Sequence, residues 1–265
     1  MRAVRPSKQA EVYYRKQLDQ FINYMQQIVI DELQNDTLND ALFSKGVELL
    51  ARQMNRILDR LESMDINNFA TQLARGFTTR LNQNSSNSFN SNIKNSVGLD
   101  LNRIVSTPEI SDALNMAIIN NTALIKSIKD EYKDNVSKLI RDNVFNGERP
   151  TNIVTQIKDI GGVTKSRAAF IARDQTAKVN SDLVEIRAKA IGSDTYVWSG
   201  TRDERNSKRT NHWVMDGLLC KWSDPTVYSD DDGVTWKKRS AIGGVELHVG
   251  RDYNCRCVGL PVVKW

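Results

Sequence analysis

The chain has 265 residues, of which 26% are charged and 40% hydrophobic, as in ordinary folded proteins and unlike a disordered chain. Its apolar stretches fall short of the roughly 20 residues that cross a membrane, and its basic start lacks the apolar core of a secretory signal. We therefore expect a protein made in a cytoplasm, with no membrane partner and with three reduced cysteines. The formal net charge of +5 is compatible with an acidic partner such as nucleic acid but does not require one.

The composition changes sharply along the chain. All five Trp, all three Cys and both His lie beyond residue 190. Residues 161–265 carry 17 Lys and Arg against 13 Asp and Glu. We predict an α+β fold with a boundary near Gly192: a long-helical N-terminal region, residues 1–190, followed by a small mixed α+β C-terminal domain, residues 191–265.

The first region has the hydrophobic spacing of helices. Apolar residues recur every three or four positions over 18–33 and again over 47–61, which predicts two helices with one buried face each. Thr107 and Pro108 suit the N-cap and first position of a further helix, which the sequence NGERP ends.

Residues 82–96 read NQNSSNSFNSNIKNS, in which 12 of 15 positions are Asn, Gln or Ser. Such a stretch has little apolar surface to offset the entropy lost on ordering. We predict a flexible loop or linker, with a strap ordered by a partner as the alternative.

Two helices are predicted after Pro150. The first ends at the Gly161-Gly162 pair, and the second starts at TKSRAAF and runs to Gly192. Beyond them, DTYVWSG, GGVELHVG and RCVGLPVV have the composition of short strands, separated by the turn-rich stretches SDDDGVTW and AIGG.

Histidine and cysteine concentrate near the C-terminus. The stretch LHVGRDYNCRC contains His248, Cys255 and Cys257, and with His212 these residues could form a tetrahedral Cys2His2 zinc site. Two other interpretations stay open. Cys220 could form a disulfide with one of the later cysteines, or the thiols and imidazoles could pack as buried groups that fix a loop-rich domain.

The C-x-C spacing carries a geometric prediction of its own. In a strand, Cys255 and Cys257 would point to one face and Arg256 to the other. We predict that the two thiols fasten the C-terminus onto the His212 segment and the Asp216-Gly217 turn, with or without a metal ion.

Basic residues form two groups that could neutralise DNA phosphates without reading sequence. The alternative is a solvated surface with local ion pairs of little energetic value. The candidate DNA-binding residues are Arg202, Arg205, Lys208, Arg209, Lys237, Lys238, Arg239 and Arg256.

An enzyme is a further alternative. Asp203, His212, Asp216 and His248 could be drawn as a metal-dependent nuclease site, and Cys255 with His212 as a nucleophile pair. The sequence shows no glycine-rich phosphate loop, H-E-x-x-H or G-x-S-x-G motif beside them. We therefore expect a protein without enzymatic activity, with a DNA-acting enzyme as the second hypothesis.

Three pieces of the sequence resemble one known family. SRAAFIARDQTAKVNSDLVEIRAKAIG, YVWSGTRDERNSKRTNHWVMDGLLC and HVGRDYNCRC resemble the phage Mu F-like head morphogenesis, or minor head, proteins of tailed bacteriophages. The resemblance covers roughly residues 150–260. Family members often have Cys where this chain has Arg209, so one expected metal ligand is missing.

The resemblance implies a structural protein inside the virion head, near the portal vertex. Its implied partners are the portal protein, a major capsid or scaffold protein, and double-stranded DNA that is packaged or ejected. The helical region would then be the part that docks to the portal or capsid.

Overall fold

The computed structural model describes residues 3–35, 46–98, 107–146, 150–200 and 210–263. The fold is α+β, as predicted, with long helices first and a small antiparallel sheet after them. The helices are α1 (Lys8–Asn35), α2 (Gly46–Glu62), α3 (Ile66–Val97), α4 (Pro108–Asn146), α5 (Pro150–Ala190) and α6 (Thr210–Trp213). The strands are β1 (Thr195–Ser199), β2 (Leu219–Lys221), β3 (Val227–Ser229), β4 (Lys237–Lys238) and β5 (Val258–Val262).

The chain forms two compact units. Unit 1 comprises Met1–Glu11, Arg75–Ile118 and Arg173–Trp265, and unit 2 comprises Val12–Ala74 and Ile119–Ala172. The helices α1, α3, α4 and α5 each contribute residues to both units. The change from helix to sheet falls between Ala190 and Thr195, inside unit 1.

Unit 2 is helical, and its predicted amphipathic helices are confirmed. Phe21 of α1 stacks on Phe69 of α3 with ring centroids 4.7 Å apart. Glu32 of α1 accepts hydrogen bonds from Arg56 and Arg60 of α2, at 2.6 and 3.0 Å. A buried carboxylate held by two guanidinium groups fixes the contact between these helices.

The predicted helix end at Gly161-Gly162 is wrong, because α5 continues through the pair to Ala190. The reason is packing. The buried positions Ile157, Gly161, Thr164 and Ala168 keep helical spacing across the glycine pair, so one face of α5 stays packed. Contacts inside the unit therefore override the low helix propensity of the two glycines.

The polar stretch 82–96 belongs to helix α3, so the predicted loop is wrong. Its buried positions, Leu81, Ser85, Phe89 and Ile93, are spaced by four residues and share one helix face. Phe89 and Ile93 join the main hydrophobic core of unit 1. A narrow apolar stripe is thus enough to order a helix whose other faces are Asn and Ser.

The buried Arg187 of α5 explains why the same stripe contains a serine. Its guanidinium donates to Oγ of Ser85 at 2.8 Å and to Oδ1 of Asn82 at 2.5 Å. Burial lowers the pKa of Arg187 to about 10. The short polar side chains of α3 therefore solvate a cation that is 2% exposed.

The sheet of unit 1 has the order β4-β3-β2-β1-β5, and all of its pairings are antiparallel. β1 and β5 confirm two of the predicted strands, with Tyr196 opposite Pro261. β2, β3 and β4 were not predicted. The turn-rich stretch SDDDGVTW connects β3 to β4, where Asp231 accepts hydrogen bonds from the backbone N–H and the hydroxyl of Thr235.

The predicted strand 243–250 is wrong. Gly243 and Gly250 have φ angles of 66° and 79°, values that end an extended conformation. The carbonyls of Val245 and Leu247 accept hydrogen bonds from Arg239 in place of a neighbouring strand. The segment is therefore a loop, and the Arg239 side chain satisfies two of its carbonyls.

Aromatic side chains fill the core of unit 1. Trp198 and Trp222 are 1% and 2% exposed, and the ring centroids of Tyr196 and Trp222 lie 4.0 Å apart. Val4, near the start of the chain, is buried in the same cluster. Among the described residues, none of the helices is long and apolar enough to cross a membrane.

Candidate metal centre

Two short pieces of unit 1 bring the candidate ligands together. His212 lies on the single-turn helix α6, and Cys255 and Cys257 lie in the extended segment that leads into β5. Strand β5 begins at Val258, so the cysteines precede the strand. They are nevertheless buried on either side of a half-buried Arg256, which is the predicted alternation.

The imidazole of His212 contacts both thiols. Its Nδ1 lies 3.6 Å from Sγ of Cys255 and 3.6 Å from Sγ of Cys257. The three ligand atoms lie within 4.8 Å of one another, and all three residues are buried. The predicted attachment of the C-terminal cysteines to the His212 segment is therefore confirmed.

Asp252 binds the opposite side of the same imidazole. Its Oδ2 lies 2.8 Å from Nε2 of His212. A carboxylate at this distance favours a proton on Nε2, which leaves the lone pair of Nδ1 directed at the sulfur atoms. Sequence analysis missed Asp252, although it lies three residues before Cys255.

The electrostatics of the cluster are those of a neutral thiol beside a basic imidazole. The hydrogen bond with Cys257, together with burial, raises the pKa of Cys255. Burial lowers the pKa of His212, but hydrogen bonds with Cys257 and Asp252 outweigh it, so the pKa is raised overall. The raised pKa of Cys255 favours its protonated form.

His248 is not a member of this cluster. Its Nδ1 lies 3.4 Å from the hydroxyl of Tyr196, and its ring centroid lies 6.1 Å from that of Trp222. Burial lowers the pKa of His248 to about 4, so its imidazole is neutral at pH 7. The structure thus brings together three of the four predicted zinc ligands.

Cys220 also lies elsewhere. Its thiol donates to the carbonyl of Leu218, and burial raises its pKa to about 11. All three cysteines are free thiols, so the structure contains neither of the disulfides considered for Cys220.

The loop that carries Asp252 and Cys255 is held by helix α5. Asn254 donates its backbone N–H to Asp174 at 2.8 Å and accepts from Nε of Arg173 at 2.6 Å. Asn254 has a φ of 54°, a left-handed conformation that asparagine tolerates better than most residues. These bonds fix the turn directly before Cys255.

Arg251 and Val249 extend this attachment. Arg251 donates to Asp182 at 2.9 Å and to Glu185 at 2.7 Å, and the carbonyl of Val249 accepts from the hydroxyl of Ser181. The polar residues of α5 recur at helical spacing, a signal that sequence analysis overlooked because it followed only the apolar side of this helix.

The basic candidates have different positions. Arg202, Arg205, Lys208 and Arg209 lie outside the described residues. Lys237 and Lys238 are exposed; Lys237 pairs with Asp230 at 2.8 Å, and Lys238 donates to Oγ1 of Thr226.

Arg239 requires a correction. It is 0% exposed, and its guanidinium donates to the carbonyls of Val227, Val245 and Leu247 and to the hydroxyl of Tyr196. A side chain enclosed in this way cannot contact a DNA phosphate. The prediction of Arg239 as a DNA-binding residue is wrong.

The structure does not assemble the nuclease constellation from its described members. Asp216 accepts from the backbone N–H of Gly200 at 2.7 Å, while His212 binds Asp252 and His248 binds Tyr196. The fourth member, Asp203, lies outside the described residues.

Comparison with known proteins gives two matches. Residues 134–260 match the family described as Phage Mu protein F like protein. A protein of Haemophilus influenzae (strain ATCC 51907 / DSM 11121 / KW20 / Rd), described as an uncharacterized protein, is 32% identical over 266 residues. The alignment covers 98% of this chain and 55% of that relative, so the chain spans about half of its length. No solved structure matches.

Proposed function

We propose that the chain acts as a structural protein in bacteriophage head morphogenesis, because residues 134–260 match the family described as Phage Mu protein F like protein. The family match is the observation that carries this proposal. The contacts within the matched region support it, because its signature residues bind one another. The HVGRDYNCRC loop is fastened to α5 and α6 by buried or half-buried bonds.

The finer proposal is a minor head protein inside the virion, attached near the portal vertex through its helices. Unit 2 supports it with a groove of about 400 Å³ between α1 and the α2–α3 junction. Tyr24, 59% exposed, and the stacked Phe21 and Phe69 line this groove. An apolar groove of this kind suits a helix of a portal or capsid protein.

The test is genetic and structural. A nonsense mutation in the gene should stop or reduce the formation of filled heads, counted by electron microscopy, and complementation should restore them. Mass spectrometry should find the chain in purified heads. Normal heads that lack the chain would overturn the proposal.

A substitution in the groove tests whether it is the docking surface. Tyr24→Glu places a charge in the groove, and Asn23→Glu places the same charge on an exposed neighbouring position of α1. We expect the Tyr24 variant to be depleted from heads and the Asn23 variant to be incorporated normally. Equal incorporation of both variants would place the docking surface elsewhere.

Contact with packaged DNA is the third part of the proposal. The net basic charge of residues 161–265 supports it. With Arg239 removed from the set and Lys237 paired to Asp230, the remaining candidates are Lys238, Arg256 and the four basic residues of segment 201–209.

A further inference from the structure

We propose that His212, Cys255 and Cys257 bind one zinc-class divalent ion, with Asp252 positioning the imidazole. The ion would be held by Nδ1 of His212 and by the two thiolates. This inference rests on the geometry of the cluster, and it stands or falls independently of the role in phage heads.

The distances fit a shared ion. Zinc binds thiolate sulfur at about 2.3 Å and imidazole nitrogen at about 2.0–2.1 Å in a tetrahedron, which separates a sulfur ligand from a nitrogen ligand by about 3.6 Å. Both Sγ–Nδ1 distances at His212 are 3.6 Å. The ligand atoms therefore already have the spacing of two edges of a zinc tetrahedron.

A hydrogen-bonded cluster of protonated thiols is the alternative to a metal site. Cys255 hydrogen-bonds Cys257, so a single thiol can use the one lone pair of Nδ1. A cation at the centre would instead use that lone pair and both sulfurs, which lie at equal distance from Nδ1.

The Asp252 carboxylate orients His212 as a metal ligand would require. Histidine ligands of zinc usually donate their other N–H to a carboxylate or carbonyl, which fixes the tautomer and makes the ligating nitrogen more basic. Asp252 makes this contact at 2.8 Å and is itself held in the loop that α5 fixes. The pairing leaves Nδ1 of His212 as the ligating nitrogen.

The donor set selects the class of ion. Two thiolates and one imidazole favour zinc or another soft to borderline metal, and they disfavour magnesium and calcium, which prefer oxygen. Among the described residues the cluster supplies three ligands, so one tetrahedral position remains for a water molecule or another donor. Binding would require both thiols to lose their protons and would therefore release them.

Metal analysis of the full chain is the first test. Protein expressed in zinc-supplemented medium and purified without chelator should contain about one zinc per chain by mass spectrometry. Replacement by cobalt should give the intense visible bands of a tetrahedral site and a thiolate-to-cobalt charge-transfer band. Zinc-free protein together with an octahedral cobalt spectrum would overturn the proposal.

Matched variants assign the ligands. Cys255→Ser, Cys257→Ser and His212→Gln should each lose the tetrahedral cobalt spectrum. Cys220→Ser should keep it, because Cys220 is an equally buried cysteine outside the cluster. Loss of the spectrum in the Cys220 variant, or its retention in Cys257→Ser, would overturn the assignment. If a variant fails to fold, the zinc content and cobalt spectrum of the unmodified chain still test the proposal.

Asp252→Asn separates a positioning residue from a ligand. The variant should keep the tetrahedral spectrum but bind zinc about 10- to 100-fold more weakly in competition with a chelator. An unchanged affinity would contradict the positioning role, and loss of the tetrahedral pattern with the thiolate band retained would make Asp252 a ligand itself.

Discussion

At the scale of the residue, the side chain of Arg239 links two parts of unit 1. One buried guanidinium satisfies three backbone carbonyls that belong to β3 and to the 243–250 loop. In a strand, these loop carbonyls would bind a neighbouring strand; here they bind the Arg239 side chain instead. The stability of this part of unit 1 should therefore depend on that residue.

We predict that Arg239→Leu lowers the free energy of unfolding by about 3–5 kcal/mol, because each orphaned carbonyl costs about 1–3 kcal/mol. Urea denaturation measures the change. Lys238→Leu is the matched control, since Lys238 is exposed, and it should change stability by less than about 0.5 kcal/mol. Equal effects of the two substitutions would contradict the structural role.

His248 makes the stability of the fold depend on pH. Its folded pKa of about 4 lies below its ordinary value of 6.5, so the unfolded chain binds the proton more tightly. Burial is the main cause and is partly opposed by Glu185, while Arg251, Arg239 and Lys189 add to the lowering. The stability tied to neutral His248 is complete above pH 6.5 and is lost as the pH falls towards 4.

We predict that His248→Gln flattens the fall of unfolding free energy between pH 6.5 and 4. The part removed should be on the order of 3 kcal/mol, the value of a shift of this size. Denaturation curves at several pH values provide the measurement. A variant whose pH profile parallels that of the unmodified chain would show that other groups cause the acid sensitivity.

At the scale of the element, helix α3 shows how little apolar surface an ordered helix needs. Over 82–96 only Ser85, Phe89 and Ile93 are buried, yet they line up on one face. Isolated from the protein, such an Asn- and Ser-rich sequence would have low helix propensity. Its order comes from packing against the core of unit 1.

Two substitutions in α3 distinguish a packed helix from a linker. Phe89→Ala should cost about 3–5 kcal/mol of unfolding free energy, because it leaves a cavity in the core. Asn87→Ala, on the exposed face, should raise helix stability by up to about 0.7 kcal/mol. Thermal and urea unfolding, followed by circular dichroism, measure both. In a linker neither change would matter.

The elements also show which parts of the fold are predictable from sequence. The regular apolar spacing of α1 and α2 and the proline at the first position of α4 predict helices correctly, because local signals and burial agree there. Tertiary contacts decide the other cases. Burial of one continuous face carries α5 through Gly161, and Arg239 binds carbonyls of the 243–250 segment in place of a neighbouring strand.

In the candidate site, too, some features are predictable from sequence and others depend on tertiary contacts. The cysteine spacing and the contact with His212 are predictable, because few residues in the chain offer such ligands. The exclusion of His248 is not, since its hydrogen bond to Tyr196 depends on the path of the 243–250 loop. The Asp252 contact depends in turn on the loop between Gly250 and Cys255, which helix α5 holds in place through Asn254.

At the scale of the whole molecule, the proposed DNA contact predicts a salt dependence. Duplex binding should weaken steeply with rising salt, and Ala substitution of Arg202, Arg205, Lys208 and Arg209 should reduce the slope by about 0.9 per lost phosphate contact. Fluorescence anisotropy at several salt concentrations measures the slope. Lys237→Ala is the control, because that lysine already pairs with Asp230. No binding at low salt would refute DNA contact.

The composition of the unit 1 core has a consequence for how the chain folds. Val4, Phe89, Trp198 and Cys257 all belong to one hydrophobic cluster, although they span almost the whole sequence. Such distant pairings close slowly, because each one must overcome the entropy of a long loop. During synthesis the early apolar positions must wait until the Cys257 segment leaves the ribosome. The core of unit 1 therefore closes only after the Cys257 segment has been made.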